Sequence, residues 1–293
     1  MIDRLPPVKG DIKVLELSKL TWFRVGGKAT VFTPVDEDDL QNFLQNKPND
    51  IEIYPLGLGS NVLIRDGGFN GVIIRTNKLS ELSINGTEIT TGTGNADLKV
   101  SKFALANSIT GFEFLSGIPG AIGGALAMNA GAYENDINNI FVSAEGFDYN
   151  GNKVSLSKDD MNFSYRHCDM AGKIIFTKAT FKGEIGNENE ISNKMEQINK
   201  SRNDSQPVKS RTGGSTFRNP DDNKAWELID RVGLRGKVIG GAMISDKHCN
   251  FLINNGDATA NDLESLGDLA KDTVKSETGI DLHWEIKRIG EYE

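Results

Sequence analysis

The stretch that decides the fold is SGIPGAIGGALAMNAGAY, at residues 116–133. Glycine gives up side-chain burial and raises the entropy cost of ordering the chain, so this density of glycine requires a compensating contact. Two contacts are open at this point. A flat ring or a diphosphate could approach the backbone closely, or backbone could pack tightly on backbone in a buried turn. Pro119 stiffens the turn in either case.

A second glycine stretch, PLGLGSN, occupies residues 55–61. Gly57 and Gly59 follow a predicted strand, as in a dinucleotide-binding fingerprint, but Val62 stands where the third glycine belongs. The next residues, VLIRD, have the pattern of a strand, whereas a Rossmann site needs a helix there. A Rossmann site is therefore disfavoured. The turn can still bind an anion through its backbone N–H groups with Ser60 and Asn61, although such a turn in isolation is commonly structural.

The rest of the chain predicts a mixed α+β fold. Apolar strands punctuated by glycine fill residues 51–76, and the pairs Asn85-Gly86 and Asn150-Gly151 predict hairpins, because both turn positions tolerate positive φ. Helices are predicted at 36–45, 96–107 and 225–231, and from the capping box Thr259-Ala260-Asn261-Asp262 to Gly279. The polar stretch 184–206 predicts a connecting helix at a domain boundary.

Composition excludes several classes of protein. The chain has 293 residues and a net charge of -8, so it carries no overall basic field for nucleic acid or an anionic membrane. Two cysteines and three scattered histidines support neither a disulfide scaffold nor a metal site. No apolar run reaches the roughly 20 residues of a membrane span, and the first residues lack the apolar core of a secretory signal. We expect a cytoplasmic protein.

Seven segments together resemble the UDP-N-acetylenolpyruvoylglucosamine reductase family, flavoproteins that complete UDP-N-acetylmuramate in peptidoglycan synthesis. The segments follow the family's order and span nearly the whole chain. They are TWFRVGG (21–27), PLGLGSNVLIRD (55–66), GIPGAIGGALAMNAGAY (117–133), SYRHCDM (164–170), GGSTFRNP (213–220), SDKHCNFLIN (245–254) and HWEIKRIG (283–290).

The resemblance implies an FAD-binding domain of the vanillyl-alcohol-oxidase (PCMH) type in two lobes, at 1–76 and 77–203. A C-terminal α+β substrate-binding domain at 204–293 follows, whose last residues return to the first lobe. FAD is expected to be non-covalent, because Ser60 and Asn61 stand where covalently flavinylated relatives often have histidine. The implied FAD contacts are Gly57, Gly59, Ser60, Asn61, Gly117, Ile118, Pro119, Gly120, Gly123, Gly124, Asn129 and Gly131.

Three residues match the family's catalytic positions. Reduction of an enolpyruvyl ether delivers hydride to one alkene carbon and builds negative charge on the other carbon and its carboxylate. Arg166 is suited to stabilising that charge, because a guanidinium stays charged and pairs with carboxylates. Ser215 is the family's proton donor, and Glu285 assists the enolate or the proton transfer. Without the resemblance, the three would be a surface ion pair, a loop serine and an exposed strand residue.

The implied hydride donor is NADPH, and the expected kinetics are ping-pong. The partners are small molecules only, and the chain is expected to be a monomer.

The chain resembles the shorter class of the family, because no tyrosine lies between Lys173 and Arg211 to close over the diphosphate. Lys209 supplies charge near the expected diphosphate site. Cys168 and Cys249 adjoin active-site motifs and suggest oxidant sensitivity. The expected UDP-sugar contacts are Tyr165, Arg211, Arg218, Asn219, His248 and Asn250.

Two other functions compete with the reductase. An oxidase of small alcohols on the same FAD scaffold would need neither Ser215 nor Glu285. A non-catalytic sensor of nucleotide sugars would need no catalytic residue, whereas this chain has all three residue types. Bleaching of a yellow protein by NADPH excludes the sensor, and turnover that depends on the enolpyruvyl UDP-sugar excludes the oxidase.

Overall fold

The computed structural model describes residues 1–293. The chain forms two compact units, each assembled from several segments. The first unit contains Met1–Lys13, Thr30–Gly57 and Gly71–Ser201, and the second contains Val14–Ala29, Leu58–Asn70 and Arg202–Glu293. Helices and strands alternate along the chain, which confirms the predicted α+β class. No helix combines the length and the apolar character that crossing a bilayer requires.

The strands, in chain order, are β1 (Asp11–Glu16), β2 (Lys28–Thr33), β3 (Ile53–Pro55), β4 (Val62–Ile64), β5 (Val72–Ile74), β6 (Leu82–Asn85), β7 (Glu88–Gly92), β8 (Ile109–Thr110), β9 (Gly131–Ala132), β10 (Asn135–Asp136), β11 (Phe141–Asp148), β12 (Lys153–Leu156), β13 (Ile174–Lys182), β14 (Glu184–Ile185), β15 (Val238–Ile239), β16 (Ala242–Ile244), β17 (Leu252–Asn254) and β18 (Lys287–Ile289). The α-helices are α1 (Glu37–Asn46), α2 (Asp97–Ala106), α3 (Ile122–Ala127), α4 (Ile137–Ile140), α5 (Lys158–Met161), α6 (Glu188–Ser205), α7 (Ala225–Arg231) and α8 (Ala260–Thr278). Short 3-10 helices occupy Ile2–Arg4, Leu17–Lys19 and Glu113–Gly117.

A parallel sheet organises the start of the first unit. Strands β2 and β3 both run parallel to β5, which lies between them in the order β1-β2-β5-β3. Helix α1 packs beside this sheet, with the ring centroids of Phe32 and Phe43 4.5 Å apart. Asp36 caps α1 by accepting a hydrogen bond from the backbone N–H of Asp39, so the predicted helix is confirmed.

An antiparallel sheet forms the rest of the first unit, in the order β12-β11-β13-β7-β6. The two predicted hairpins are both present: Gly86 lies between β6 and β7, and Gly151 lies between β11 and β12. Both glycines have positive φ, +60° and +83°, as the sequence pairs require. The apolar core against this sheet includes Ile89, Val100, Phe112, Leu126, Phe141 and Phe181.

The polar stretch predicted as a connecting helix forms α6. It buries only Ile191, Met195 and Ile198, which share one face at helical spacing. The division between the two units falls inside this helix, at Ser201 and Arg202. Most of α6 is therefore part of the first unit, and its last residues, from Arg202, are part of the second.

The second unit contains the antiparallel sheet β15-β16-β17 and the parallel pair β4 and β18. Helix α8 begins at the predicted capping box, where the side chains of Thr259 and Asp262 each accept a hydrogen bond from the other residue's backbone. It ends at Gly279, which has φ +75°. The apolar face of α8 packs in a core with Phe23, Leu63, Phe217, Leu228 and Leu282.

The two units divide the chain differently from the predicted lobes. Residues 14–29 and 58–70, which fall in the predicted first lobe, belong to the second unit together with the C-terminal residues. The pairing of β18 with β4 brings the last strand back to residues 62–64. The assignment of 1–76 and 77–203 as separate lobes stays a prediction.

Candidate active site

The glycine-rich stretch 116–133 is fixed against residues 93–97 within the first unit. The backbone N–H of Asp97 donates to the carbonyl of Gly120 at 3.0 Å, and that of Gly123 donates to Thr93 at the same distance. The N–H of Ile122 donates to Asn95, also at 3.0 Å. These bonds connect the stretch to the end of β7 and the start of α2.

Close packing explains most of the glycines in this stretch. A β-carbon on Gly117 would lie 2.9 Å from Tyr133 and Ile198, and one on Gly131 would lie 2.7 Å from the carbonyl oxygen of Asn135. Gly124 differs, because a β-carbon there would meet nothing within 4 Å. Tight packing, one of the two explanations that the sequence left open, therefore accounts for Gly117 and Gly131 and does not account for Gly124. Ile118 and Pro119 lead from the 3-10 helix into the turn at Gly120.

The first glycine loop crosses from one unit to the other. In the first unit, a β-carbon on Gly57 would lie 3.6 Å from the Ala121 side chain, an ordinary contact. In the second unit, Gly59 has φ +67° and sits against the backbone of Leu20 and Thr21, where a β-carbon would come within 2.9 Å. Open space at Gly124 leaves room beside the backbone of the second glycine stretch, whereas the position of Gly57 is in contact with Ala121.

Arg166 lies in a tight turn of the first unit. Ser164 and His167 exchange backbone hydrogen bonds of 3.1 Å across this turn, and Arg166 adopts a left-handed φ of +54°. The amide of Asn129 donates to the carbonyl of Ser164 at 3.0 Å. Asn129 therefore joins the glycine-rich stretch to the arginine turn. Tyr165 is 56% exposed, and the Arg166 guanidinium lies 5.4 Å from its ring centroid.

Ser215 lies in a loop of the second unit that is held on both sides. A β-carbon on Gly213 would come 2.3 Å from the buried ring of Phe23, so the loop packs directly on that ring. On the other side, the Asn250 side chain accepts from the N–H of Phe217 at 2.9 Å and donates to its carbonyl at 2.8 Å. Asn250 is thereby a support of the serine loop.

Glu285 lies beside the serine loop within the same unit. Its backbone N–H donates to the carbonyl of Thr216 at 2.8 Å, one residue from Ser215. The amide of Asn61 donates to the Glu285 carbonyl at 3.3 Å. The neighbouring Trp284 packs on Phe217 with ring centroids 5.2 Å apart. The structure thus brings together Ser215, Glu285 and Asn61, which belong to three distant motifs.

Arg218 carries a buried side-chain donor that the protein leaves unused. Its Nε is buried without a hydrogen-bond partner in the protein. By contrast, Asn219 accepts from the N–H of Ala225 at the start of α7, and Arg211 donates to the carbonyl of Gly256. An anionic ligand would satisfy Arg218, whereas the other two already have protein partners.

His248 is packed among aromatic rings, with Phe251 at 4.8 Å and Trp226 at 6.1 Å. Burial lowers its pKa, so the ring is neutral at pH 7. Its Nδ1 accepts from the Asn250 N–H at 3.3 Å. His248 therefore packs as an uncharged ring between Trp226 and Phe251 and accepts one hydrogen bond from the backbone of Asn250.

A cavity of about 590 Å³ lies in the second unit. Its lining includes Lys209, which the sequence singled out, and Lys247 and Ser245, which it did not. Neither Ser215 nor Glu285 lines it. No group of three His, Cys, Asp or Glu side chains is arranged to hold a metal ion.

Both cysteines are buried, each 2% exposed. Burial raises the pKa of both thiols, that of Cys249 to about 11. Since the thiolate is the reactive form, neither is chemically activated at neutral pH.

The glycine loops, the turn at Arg166 and the serine loop are typical of a flavin-dependent oxidoreductase. A family model described as an FAD binding domain matches residues 29–157, and one described as UDP-N-acetylenolpyruvoylglucosamine reductase, C-terminal domain, matches residues 206–289. The reductase of that name from Parvibaculum lavamentivorans is 47% identical over 99% of this chain and 94% of its own. The chain belongs to the UDP-N-acetylenolpyruvoylglucosamine reductase family, and it is an FAD-dependent enzyme.

Other relatives agree with this assignment. The reductase from Rickettsia massiliae is 47% identical over 98% of this chain and 99% of its own. The crystal structure of UDP-N-acetylenolpyruvylglucosamine reductase from Thermus caldophilus superposes with a TM-score of 0.84. It is 28% identical and covers 95% of this chain and 99% of its own. The resemblance drawn from seven segments is confirmed over the full length.

Proposed function

We propose that this enzyme reduces UDP-N-acetylglucosamine enolpyruvate to UDP-N-acetylmuramate, a precursor of peptidoglycan, with NADPH as the hydride donor. The observation that carries the proposal is the junction of Ser215 and Glu285: a 2.8 Å backbone hydrogen bond joins Glu285 to the residue that follows the serine. An oxidase would have no use for this pairing of a hydroxyl and a carboxyl on separate, mutually supported segments.

The glycine loops are the residues that would hold the cofactor: Gly57, Gly59, Ser60 and Asn61 in one loop, and the stretch from Gly117 to Gly131 in the other. Bound FAD supplies hydride transfer, from NADPH to the alkene carbon of the substrate. Space beside Gly124 supports this role. Asn129 is proposed to orient the second loop and not to bind FAD through its NH2 group, because that group already donates hydrogen bonds to Asp136 and to the Ser164 carbonyl.

The residues proposed for proton transfer, Ser215 and Glu285, lie in the second unit, and the proposed partner of the carboxylate, Arg166, lies in the first. Hydride adds to one alkene carbon, and the electron pair of the double bond moves toward the other carbon and its carboxylate. Arg166 pairs with that carboxylate as its charge grows. The Ser215 hydroxyl then gives its proton to the carbanion-like carbon, and Glu285 assists this transfer. A hydroxyl suffices because the carbon is a far stronger base than water and the loop geometry is enforced.

The nucleotide part of the substrate is assigned to the second unit as well. Arg218 offers a buried Nε without a partner, and the cavity lined by Lys209 and Lys247 offers positive charge. These groups would hold the diphosphate in place of the tyrosine that the chain lacks between Lys173 and Arg211.

The test is turnover with purified enzyme, FAD, NADPH and the enolpyruvyl UDP-sugar, with the product analysed by mass spectrometry. The expected product carries one hydrogen from NADPH and one from solvent, which deuterated NADPH and deuterated water distinguish. NADPH oxidation that is independent of the UDP-sugar and consumes oxygen would support the oxidase. An absence of flavin reduction by NADPH would contradict the proposal altogether.

A further inference from the structure

We propose that Arg75 binds the diphosphate of FAD, as a cationic contact that neither glycine motif contains. This proposal requires that the enzyme binds FAD, and it does not depend on which sugar substrate the enzyme reduces. It is carried by the place of Arg75 in the first unit and by the absence of any protein group that neutralises it.

Arg75 lies at the edge of the parallel sheet where the first glycine loop begins. It follows the last residue of β5, and its backbone N–H donates to the carbonyl of Phe32 at 2.8 Å. On the other side of β5, the N–H of Leu56 donates to Ile74 at 2.9 Å, and Gly57 comes next. Arg75 is therefore level with Leu56, the residue before Gly57, on an adjacent strand. Ligands of open α/β sheets bind at this carboxyl edge.

The second glycine stretch reaches the same place. Thr76, which follows Arg75, lies so close to Gly94 that a β-carbon there would be 2.2 Å from the Thr76 carbonyl oxygen. The adjoining Thr93 accepts the N–H of Gly123, and Ala121 contacts the position of Gly57 at 3.6 Å. The backbone around Arg75 is thus bordered by both cofactor loops.

The guanidinium of Arg75 has no counter-charge in the protein. Its Nε is buried without a hydrogen-bond partner, while the side chain as a whole is only partly buried. Burial alone shifts its pKa, in the downward direction, and no carboxylate contributes. A buried donor left unsatisfied is costly, and the cost is greater for a cation. A bound diphosphate would remove it, since a guanidinium makes paired hydrogen bonds to phosphoryl oxygens.

Asp97 is a buried carboxyl that packs against the second stretch, and it does not contribute to the pKa shift of Arg75. Asp97 is fully buried, and burial raises its pKa well above the usual range. The raised pKa favours the protonated form of this carboxyl, which does not repel a diphosphate.

The experiment is titration of FAD into apoprotein, followed by flavin fluorescence, for wild type, Arg75→Gln and Arg75→Lys. The matched control is Arg4→Gln, which removes an exposed arginine of the same unit that pairs with Asp50. We expect Arg75→Gln to raise the Kd for FAD by about tenfold to a hundredfold, and Arg75→Lys to recover part of the loss. The Kd of the Gln variant should also depend less steeply on KCl than that of wild type.

Three results would overturn the proposal. An unchanged Kd for FAD in Arg75→Gln is the first. The second is a loss of affinity with the same salt dependence as wild type and no recovery in Arg75→Lys, which indicates a structural role only. The third is normal FAD affinity with a raised KM for NADPH, which assigns the guanidinium to the phosphates of the nicotinamide nucleotide. Failure of the proposed reduction would show instead as normal FAD binding without sugar-dependent turnover.

Discussion

Gly120 and Asp97 are packed so closely that a β-carbon at residue 120 would lie 2.6 Å from a carboxyl oxygen of Asp97. The Asp97 N–H donates to the Gly120 carbonyl at 3.0 Å, yet neither carboxyl oxygen makes a well-formed hydrogen bond within the protein. Burial raises the pKa of Asp97 well above its usual range, and the Gly120 backbone amide opposes this only in part. A loop assigned to the cofactor thus packs on a buried carboxyl whose protonated form is favoured.

Asp97 makes stability depend on pH. Its pKa is higher in the folded than in the unfolded chain, so the folded form holds the proton more tightly, and stability falls as pH rises above the unfolded value of about 4. Asp97→Asn removes this loss. As pH rises from the unfolded toward the folded pKa of Asp97, the unfolding free energy of the variant should increase relative to wild type by up to about 1.4 kcal/mol for each pH unit. Urea unfolding of both apoproteins at pH 5 and pH 8 measures the gain.

The control for this pH effect is Asp38→Asn, which changes an exposed carboxyl in the same unit. Its stability relative to wild type should stay nearly constant between the two pH values. If Asp97→Asn behaved like the control, Asp97 would be ionised in the folded protein and the account of this loop would be wrong.

The serine loop should be sensitive to a single methyl group at Gly213. Gly213→Ala drives a β-carbon into the Phe23 ring and should displace Ser215, at a cost of about 1–3 kcal/mol in stability. Rapid-mixing experiments should show flavin reduction by NADPH nearly unchanged and reoxidation by the UDP-sugar slowed at least about tenfold. Gly214→Ala is the comparison, because its β-carbon would lie 3.9 Å from the nearest atom, so its cost is the strain of about 1–2 kcal/mol at a φ of +81° and not a clash with Phe23. Equal loss of rate in both variants would contradict the steric argument.

Asn250 supports the same loop through two hydrogen bonds to Phe217. Asn250→Ala leaves a buried N–H and a buried carbonyl without partners and should destabilise the protein by about 2–4 kcal/mol. Asn250→Asp keeps the acceptor for the Phe217 N–H but brings a buried carboxyl against the Phe217 carbonyl, so it should not recover the stability of wild type. Thermal unfolding of the three proteins gives the order, and an alanine variant as stable as wild type would show that the two bonds are replaceable by water.

The thiols should be inert in the folded enzyme. Cys168 and Cys249 are each 2% exposed, and burial raises the pKa of both. Incubation with a thiol-specific reagent at pH 7 should modify neither residue and leave turnover unchanged, whereas both should react after unfolding. Rapid labelling of the native enzyme with loss of activity would restore the oxidant sensitivity that their sequence positions suggested.

Local signals predicted much of the fold. The two Asn-Gly hairpins, the capping box at Thr259 and the strand after Gly59 depend on neighbouring residues, and each lies where the sequence indicated. Contacts distant in sequence were beyond that reasoning. Nothing near Val14–Ala29 indicates that it joins the C-terminal residues, and that assignment depends on packing between segments far apart in the chain.

The site shows the same limit. Motifs identified Ser215, Glu285 and Asn61, but the hydrogen bonds that join them became visible only in the structure. Arg75 and Asp97 carry no sequence signal, because an isolated charged residue is usually exposed and paired with solvent. Their interest arises from burial without a partner, which depends on the folded chain as a whole.

The central claim is that Ser215 gives the proton in the reduction of the enolpyruvyl group. The most direct measurement is anaerobic stopped-flow absorbance at the flavin band of Ser215→Ala, with NADPH added first and the enolpyruvyl UDP-sugar second. Ser276→Ala, on the exposed surface of α8, is the matched control. The account predicts normal bleaching by NADPH and recovery slowed about 10²–10⁴-fold by the sugar. Recovery at the rate of the control, or bleaching slowed as much as recovery, would contradict it.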